Sequence, residues 1–221
     1  MESLDVKHSI YALRSACAFI IREKTARGIC PKTARSIYSY MATLCKPDSG
    51  PILPDFEIEL MSHSLTREAL EKDKAYLIQG NWIVDTEFSS WPPIMFQFDL
   101  VRAHQLDCGD QPGIMVPTLC NVSAIGIVES LSKPEPSEVE GVKEQVTLTL
   151  KLNHLDYCFT ACSYLTFEVE YYLTHDIACK RALNLDNIRL GVRVGVEGTV
   201  MEYLQAMAKL VIKVKSLWRA E

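Results

Sequence analysis

Two groups of cationic and aromatic side chains are the residues of this chain best suited to chemistry with a polyanion. The first is Lys151, Tyr164, Tyr172, Lys209, Lys213 and Lys215. These alternate with apolar residues in strand-like runs, which puts them on outward faces. The second is Arg22, Arg27, Lys32 and Arg35, in a basic stretch near the N-terminus. An ammonium or guanidinium group neutralises a phosphate and releases condensed counterions, and an aromatic ring offers a face on which an unpaired base stacks. The first group could do both. Against it stand Glu168 and Glu170 in the middle of the same face, and Glu135, Glu138, Glu140 and Glu144 in the nearest loop.

Other chemistries find less support. His154, Cys158, Cys162, His175 and Cys179 recur with three intervening residues in each local pair. Zinc needs four such ligands in a tetrahedron, but paired C-x2-C knuckles are missing, so core thiols and surface histidines explain these positions more simply and no metal is expected. There is no Gly-rich phosphate loop, no G-x-S-x-G and no H-E-x-x-H. Asp99, His104 and Asp107 are close in sequence but have no nucleophile beside them. The chain reads as non-enzymatic, without a cofactor.

Composition sets the frame. Residues 1–46 carry eight Lys/Arg against three acids, a local charge of +5 in a chain whose formal charge is −5. A basic end on an acidic body can mark an anionic partner, although a solvated helical face gives the same pattern. The apolar run at residues 16–21 is short and no small-residue cleavage site follows it, so no signal peptide is expected. No stretch approaches the ~20 apolar residues that span a bilayer. The eight cysteines show no framework spacing and read as buried thiols of a reducing compartment. An intracellular protein, nuclear or cytoplasmic, without membrane contact is the expectation.

The elements that would hold these residues fall into three regions. Residues 1–46 read as a helical pair: Ile10, Leu13, Cys17, Ile20 and Ile21 recur at helical spacing, Gly28 stops the run, and Pro31 can open a second helix with Ile37, Tyr38, Met41 and Leu44 on its apolar side. Lys32 and Arg35 on that second helix raise a DNA-reading helix-turn-helix, but packing hairpins are far commoner. Residues 47–117 follow a proline-rich connection and read as a β-rich region packed on or preceding a C-terminal barrel. Within it, residues 75–86 and 94–104 look like strands, and Gly80 suggests a bulge or tight bend. Residues 55–107 form either a degenerate second barrel or extra strands, and extra strands are preferred.

Residues 118–221 carry the clearest pattern. Strand-like runs at 122–131, 145–155, 164–175, 192–203 and 209–217 enclose a segment of helical composition at 177–190. Three strands, a helix, then two strands is the order of the oligonucleotide/oligosaccharide-binding (OB) barrel. Val146, Leu148, Leu150 and Leu152 form one face of the second run. Leu165, Phe167, Val169, Tyr171 and Leu173 form one face of the third. The V-x-V-x-G-x-V pattern from Val194 to Val200, a turn, then Leu210-Val211-Ile212-Lys213-Val214-Lys215 resembles the final hairpin of single-strand-binding OB domains, of which replication protein A is the familiar relative. The segment order also resembles that of fungal OB-like proteins. The expected class is therefore mainly β (α+β): an OB-type five-stranded barrel with additional N-terminal strands and an N-terminal helical pair. The resemblance implies a binder of single-stranded DNA or RNA, or an OB-type scaffold subunit with protein partners. Fold alone does not choose between them.

Overall fold

Alternation of apolar and polar residues dictates ten strands. The computed structural model describes residues 11–29, 36–44, 57–64, 69–86, 93–106, 120–132, 146–158, 161, 163–174, 188–204 and 207–220. The strands are β1 (Leu13–Ile29), β2 (Ser36–Leu44), β3 (Glu57–Ser64), β4 (Ala75–Val84), β5 (Ile94–Leu106), β6 (Asn121–Ser132), β7 (Val146–Cys158), β8 (Ser163–Thr174), β9 (Arg193–Leu204) and β10 (Lys209–Arg219). Among the described residues there is no α-helix, and no helix long and apolar enough to cross a membrane.

The strands close into two rings. β6 pairs with β7, β7 with β8, β8 with β10 in parallel, β10 with β9, and β9 returns to β6. The N-terminal ring repeats this connectivity. β1 pairs with β2, β2 with β3, β3 with β5 in parallel, β5 with β4, and β4 returns to β1. In each ring the third strand meets the fifth in parallel over three residue pairs, which closes the ring. The pairing of β3, β4 and β5 favours a second ring over extra strands packed on the C-terminal one.

The expected N-terminal helical pair is not present: β1 and β2 are strands. The side chains explain why. Leu13, Ser15, Cys17, Phe19 and Ile21 are all buried at a period of two, as are Tyr38, Tyr40 and Ala42 in β2. The helical reading picked Leu13, Cys17 and Ile21 out of that set, and a spacing of four suits either period. Between the rings β1 acts as the seam, since Arg14, Ser15 and Ala16 pair with Ser123, Val122 and Asn121 of β6 while the same residues pair with β4. That pairing brings Cys17 beside Cys120, and the two are joined in a disulfide across 103 residues. The reading of all eight cysteines as free thiols is corrected at these two positions. Cys158 is buried and is not in a disulfide.

In the C-terminal ring the inward sets run as the alternation requires. Leu150, Leu152, Phe167, Val169, Tyr171, Val194, Val196, Leu210, Ile212 and Val214 are buried. Gly126 faces β7, where a β-carbon would stand 2.8 Å from Leu152 Cβ and 3.0 Å from the His154 ring. Gly80 marks a bulge: Ile78 pairs with Ala103 but Gly80 with Phe98, so residues 99–102 of β5 loop out of the ladder. The segment 177–190 lies outside the described residues as far as residue 187.

His154 occupies the C-terminal ring interior. Its Nδ1 donates to the Tyr11 carbonyl at 3.0 Å and its Nε2 accepts from the Tyr171 hydroxyl at 2.8 Å. Burial lowers its pKa from 6.5 to about 4, so the ring is neutral in the folded protein. An unfolded imidazole takes its proton near pH 6.5, the buried one only near 4. Protons therefore favour the unfolded chain across that window. Stability present above pH 6.5 falls as the pH drops, and the full loss of roughly 3 kcal/mol is reached below about 4. Urea denaturation at pH 7 and pH 4 checks this: His154→Gln should lose less stability between the two than the wild type, and equal losses would show that His154 does not titrate as described.

Candidate nucleic-acid interface

The outer face of β7 and β8 carries the residues that the alternation placed there. Lys151 Nζ lies 3.0 Å from Glu168 Oε1 and 3.7 Å from Glu170 Oε1, and Lys209 Nζ lies 3.5 Å from Glu170 Oε2. Lys151 sits directly opposite Glu170 across the ladder. Its pKa is raised, chiefly by its hydrogen bond to Glu168. The two cations of this face are thus matched by two carboxylates. Tyr172 is buried, with only 8% of its surface exposed, and its hydroxyl donates to Glu170 Oε2 at 3.3 Å. Tyr164 is 49% exposed and meets Tyr157 edge-on at 5.4 Å between ring centres. It is the more exposed of these two rings, which share the face.

The remaining cations are dispersed. Lys213 pairs in register with Thr199 of β9 and Tyr172 of β8. Lys215 is exposed, and its Nζ donates to Asn121 Oδ1 at 2.7 Å. Arg22 lies on β1, not on a helix, with its Nε donating to Thr43 Oγ1 at 3.1 Å. The backbone of Arg27 pairs with Tyr38 near the end of β1. Lys32 and Arg35 lie outside the described residues. Of the candidate metal ligands, His154 is committed to Tyr11 and Tyr171, while Cys162, His175 and Cys179 lie outside the described residues. Among the described residues no three His, Cys, Asp or Glu side chains converge.

A second site was not legible from spacing. A groove of about 560 Å³ runs over the seam between the rings, lined from β1, β4, β5, β6, β9 and β10. It collects Arg14, Arg102 and Lys215 with the polar side chains of Gln79, Asn81 and Ser123, and Glu197 is the one carboxylate in its lining. Arg102 reaches it from the β5 bulge. At the groove's margin Asn81 donates to Asp156 Oδ2 at 2.7 Å, tying the N-terminal ring to β7. The helical reading of residues 1–46 hid Arg14, and only the β1–β6 pairing brings it near Lys215.

Both rings are OB barrels. The connectivity of each decides this, and solved structures agree. The wild-type single-stranded DNA-binding protein from Thermus aquaticus superposes with a TM-score of 0.56 at 11% identity, covering 96% of this chain and 94% of that one. A deletion variant of the same protein gives 0.56 at 12% identity, with 96% and 97% covered. At such identities the likeness establishes the fold. A replication protein A heterotrimer bound to single-stranded DNA aligns over 98% of this chain at 14% identity, but its TM-score of 0.29 carries no argument. No protein-family model and no curated protein matches the sequence.

Proposed function

We propose that the protein binds single-stranded nucleic acid and catalyses no reaction on it. One observation carries the reading. Two OB rings joined through β1 and β6 follow, over almost the whole chain, the path of a protein named for binding single-stranded DNA. In OB barrels the ligand crosses the outer face of the second and third strands, which are β7 and β8 in the C-terminal ring. On that face Tyr164 is the stacking residue, and Lys213 supplies charge from β10. Lys151 and Lys209 supply little, because Glu168 and Glu170 already match them. Tyr172 lends its ring to the sheet more than to a ligand.

Competition tests the reading. A labelled single strand should bind at low salt, and unlabelled single strand should displace it far better than duplex of the same length. Absence of binding at low salt would leave protein contact as the use of these barrels. Among variants, Tyr164→Ala should weaken binding by about 1–3 kcal/mol, the range for loss of one base–aromatic stack. Lys151→Ala should weaken it less than Tyr164→Ala does, because its ammonium is engaged by Glu168 and Glu170 and makes no phosphate contact to lose. Fluorescence anisotropy with the two variants measures both, and a larger loss at Lys151 than at Tyr164 would contradict the assignment.

A further inference from the structure

The groove over the seam belongs to a surface that neither ring owns alone. Directly paired residues in an antiparallel ladder point to the same face. One ladder row runs Asn81, Arg14, Ser123, Glu197, Ser216, crossing β4, β1, β6, β9 and β10 in order. Four inter-strand gaps of about 4.8 Å make this row about 19 Å long. Arg14, Arg102 and Lys215 are exposed along it, and among the described residues none of the three is held in an ion pair. That contrasts with Lys151 and Lys209, which are matched on the β7–β8 face. In a chain of net charge −5, three cations against Glu197 in the lining and Asp156 at its margin leave a local positive excess.

The next row out is Ile125, Gly195, Trp218. Trp218 is 41% exposed. Its indole lies against Gly195, where any β-carbon would overlap the ring. The ring is therefore held by the sheet beneath it while one side stays open. A fixed aromatic face costs little ordering entropy when a base settles on it. Along the strands it lies two residues from the row that holds Arg14, Glu197 and Ser216.

We propose that this seam is a binding track for a single strand, its phosphates passing over Arg14, Arg102 and Lys215 and one base stacking on Trp218. The proposal rests on the reading of the protein as a single-strand binder and adds a site distinct from the β7–β8 face. Phosphate contacts set the salt dependence, and stacking does not. The two kinds of residue are thereby separable.

The test is anisotropy titration of labelled oligothymidylate over a salt series with wild type, Arg14→Ala/Arg102→Ala, Trp218→Ala and Tyr164→Ala. The double arginine variant should bind at least about tenfold more weakly at low salt, and its slope of log K against log salt should fall by about 1.4, two contacts at about 0.7 each. Trp218→Ala should weaken binding about 5- to 150-fold at an unchanged slope. Photo-cross-linking of the wild type to an iodouracil-containing strand should label the peptide holding Trp218, which keeps the proposal testable if Trp218→Ala fails to fold. If the wild type binds but the arginine variant matches it in affinity and slope, or cross-links fall only on Tyr164, the seam track is wrong and the binding reading survives. If the wild type does not bind single strands at low salt, both fall.

Discussion

Replacing Trp82 with alanine should destabilise the protein by about 3–5 kcal/mol, the usual cost of emptying a large aromatic site in a core. Trp82 is fully buried in the N-terminal ring. It meets Phe96 edge-on at 5.2 Å, and Phe96 in turn meets Phe19 at 5.1 Å, so three rings from β4, β5 and β1 fill the interior together. Removing the first leaves a void that the closed ring cannot collapse to fill. A typical domain has about 5–15 kcal/mol in total, so the loss is a large share. Urea denaturation of Trp82→Ala at pH 7 measures it. A loss below about 1 kcal/mol would mean that the N-terminal ring is not packed as described.

The second large effect belongs to the disulfide. Cys17 immediately follows the part of β1 that pairs with β6, and Cys120 immediately precedes β6. The bond closes a loop of 103 residues, nearly the whole N-terminal ring. Tying so long a loop restricts the unfolded chain, and such links contribute about 2–4 kcal/mol. Oxidised wild type should therefore unfold at higher urea than reduced wild type, by an equivalent amount. Cys17→Ser/Cys120→Ser should behave like the reduced protein and ignore the reductant. A wild type equally stable with and without reductant would show that the link contributes nothing.

The C-terminal ring was readable because its strands alternate without ambiguity. Leu150 and Leu152 against Lys151 and Asn153, or Val194 and Val196 against Arg193 and Glu197, admit one period only. The N-terminal ring was not, because Leu13, Cys17 and Ile21 fit a helix as well as a strand, and Gly28 with Pro31 mimics a helix stop and start. What decides is pairing: β1 is held by β2, β4 and β6 at once, and no local pattern records that. Register explains the rest. Alternation placed Lys151, Glu168 and Glu170 on one face, but only the β7–β8 register sets Lys151 opposite Glu170 and cancels its charge. The same holds for Cys17 and Cys120, and for Arg14 and Lys215. Each pair lies far apart in sequence and is joined only by the seam.

The salt dependence of single-strand binding tests the central claim most directly. Single-strand affinity should fall linearly in log K against log salt, with a slope of about −0.7 for each phosphate neutralised. Three cations in the seam with Lys213 beside them predict a slope of about −2 or steeper, together with clear binding at the lowest salt. A flat slope, or no binding to single strands at low salt, would contradict the account.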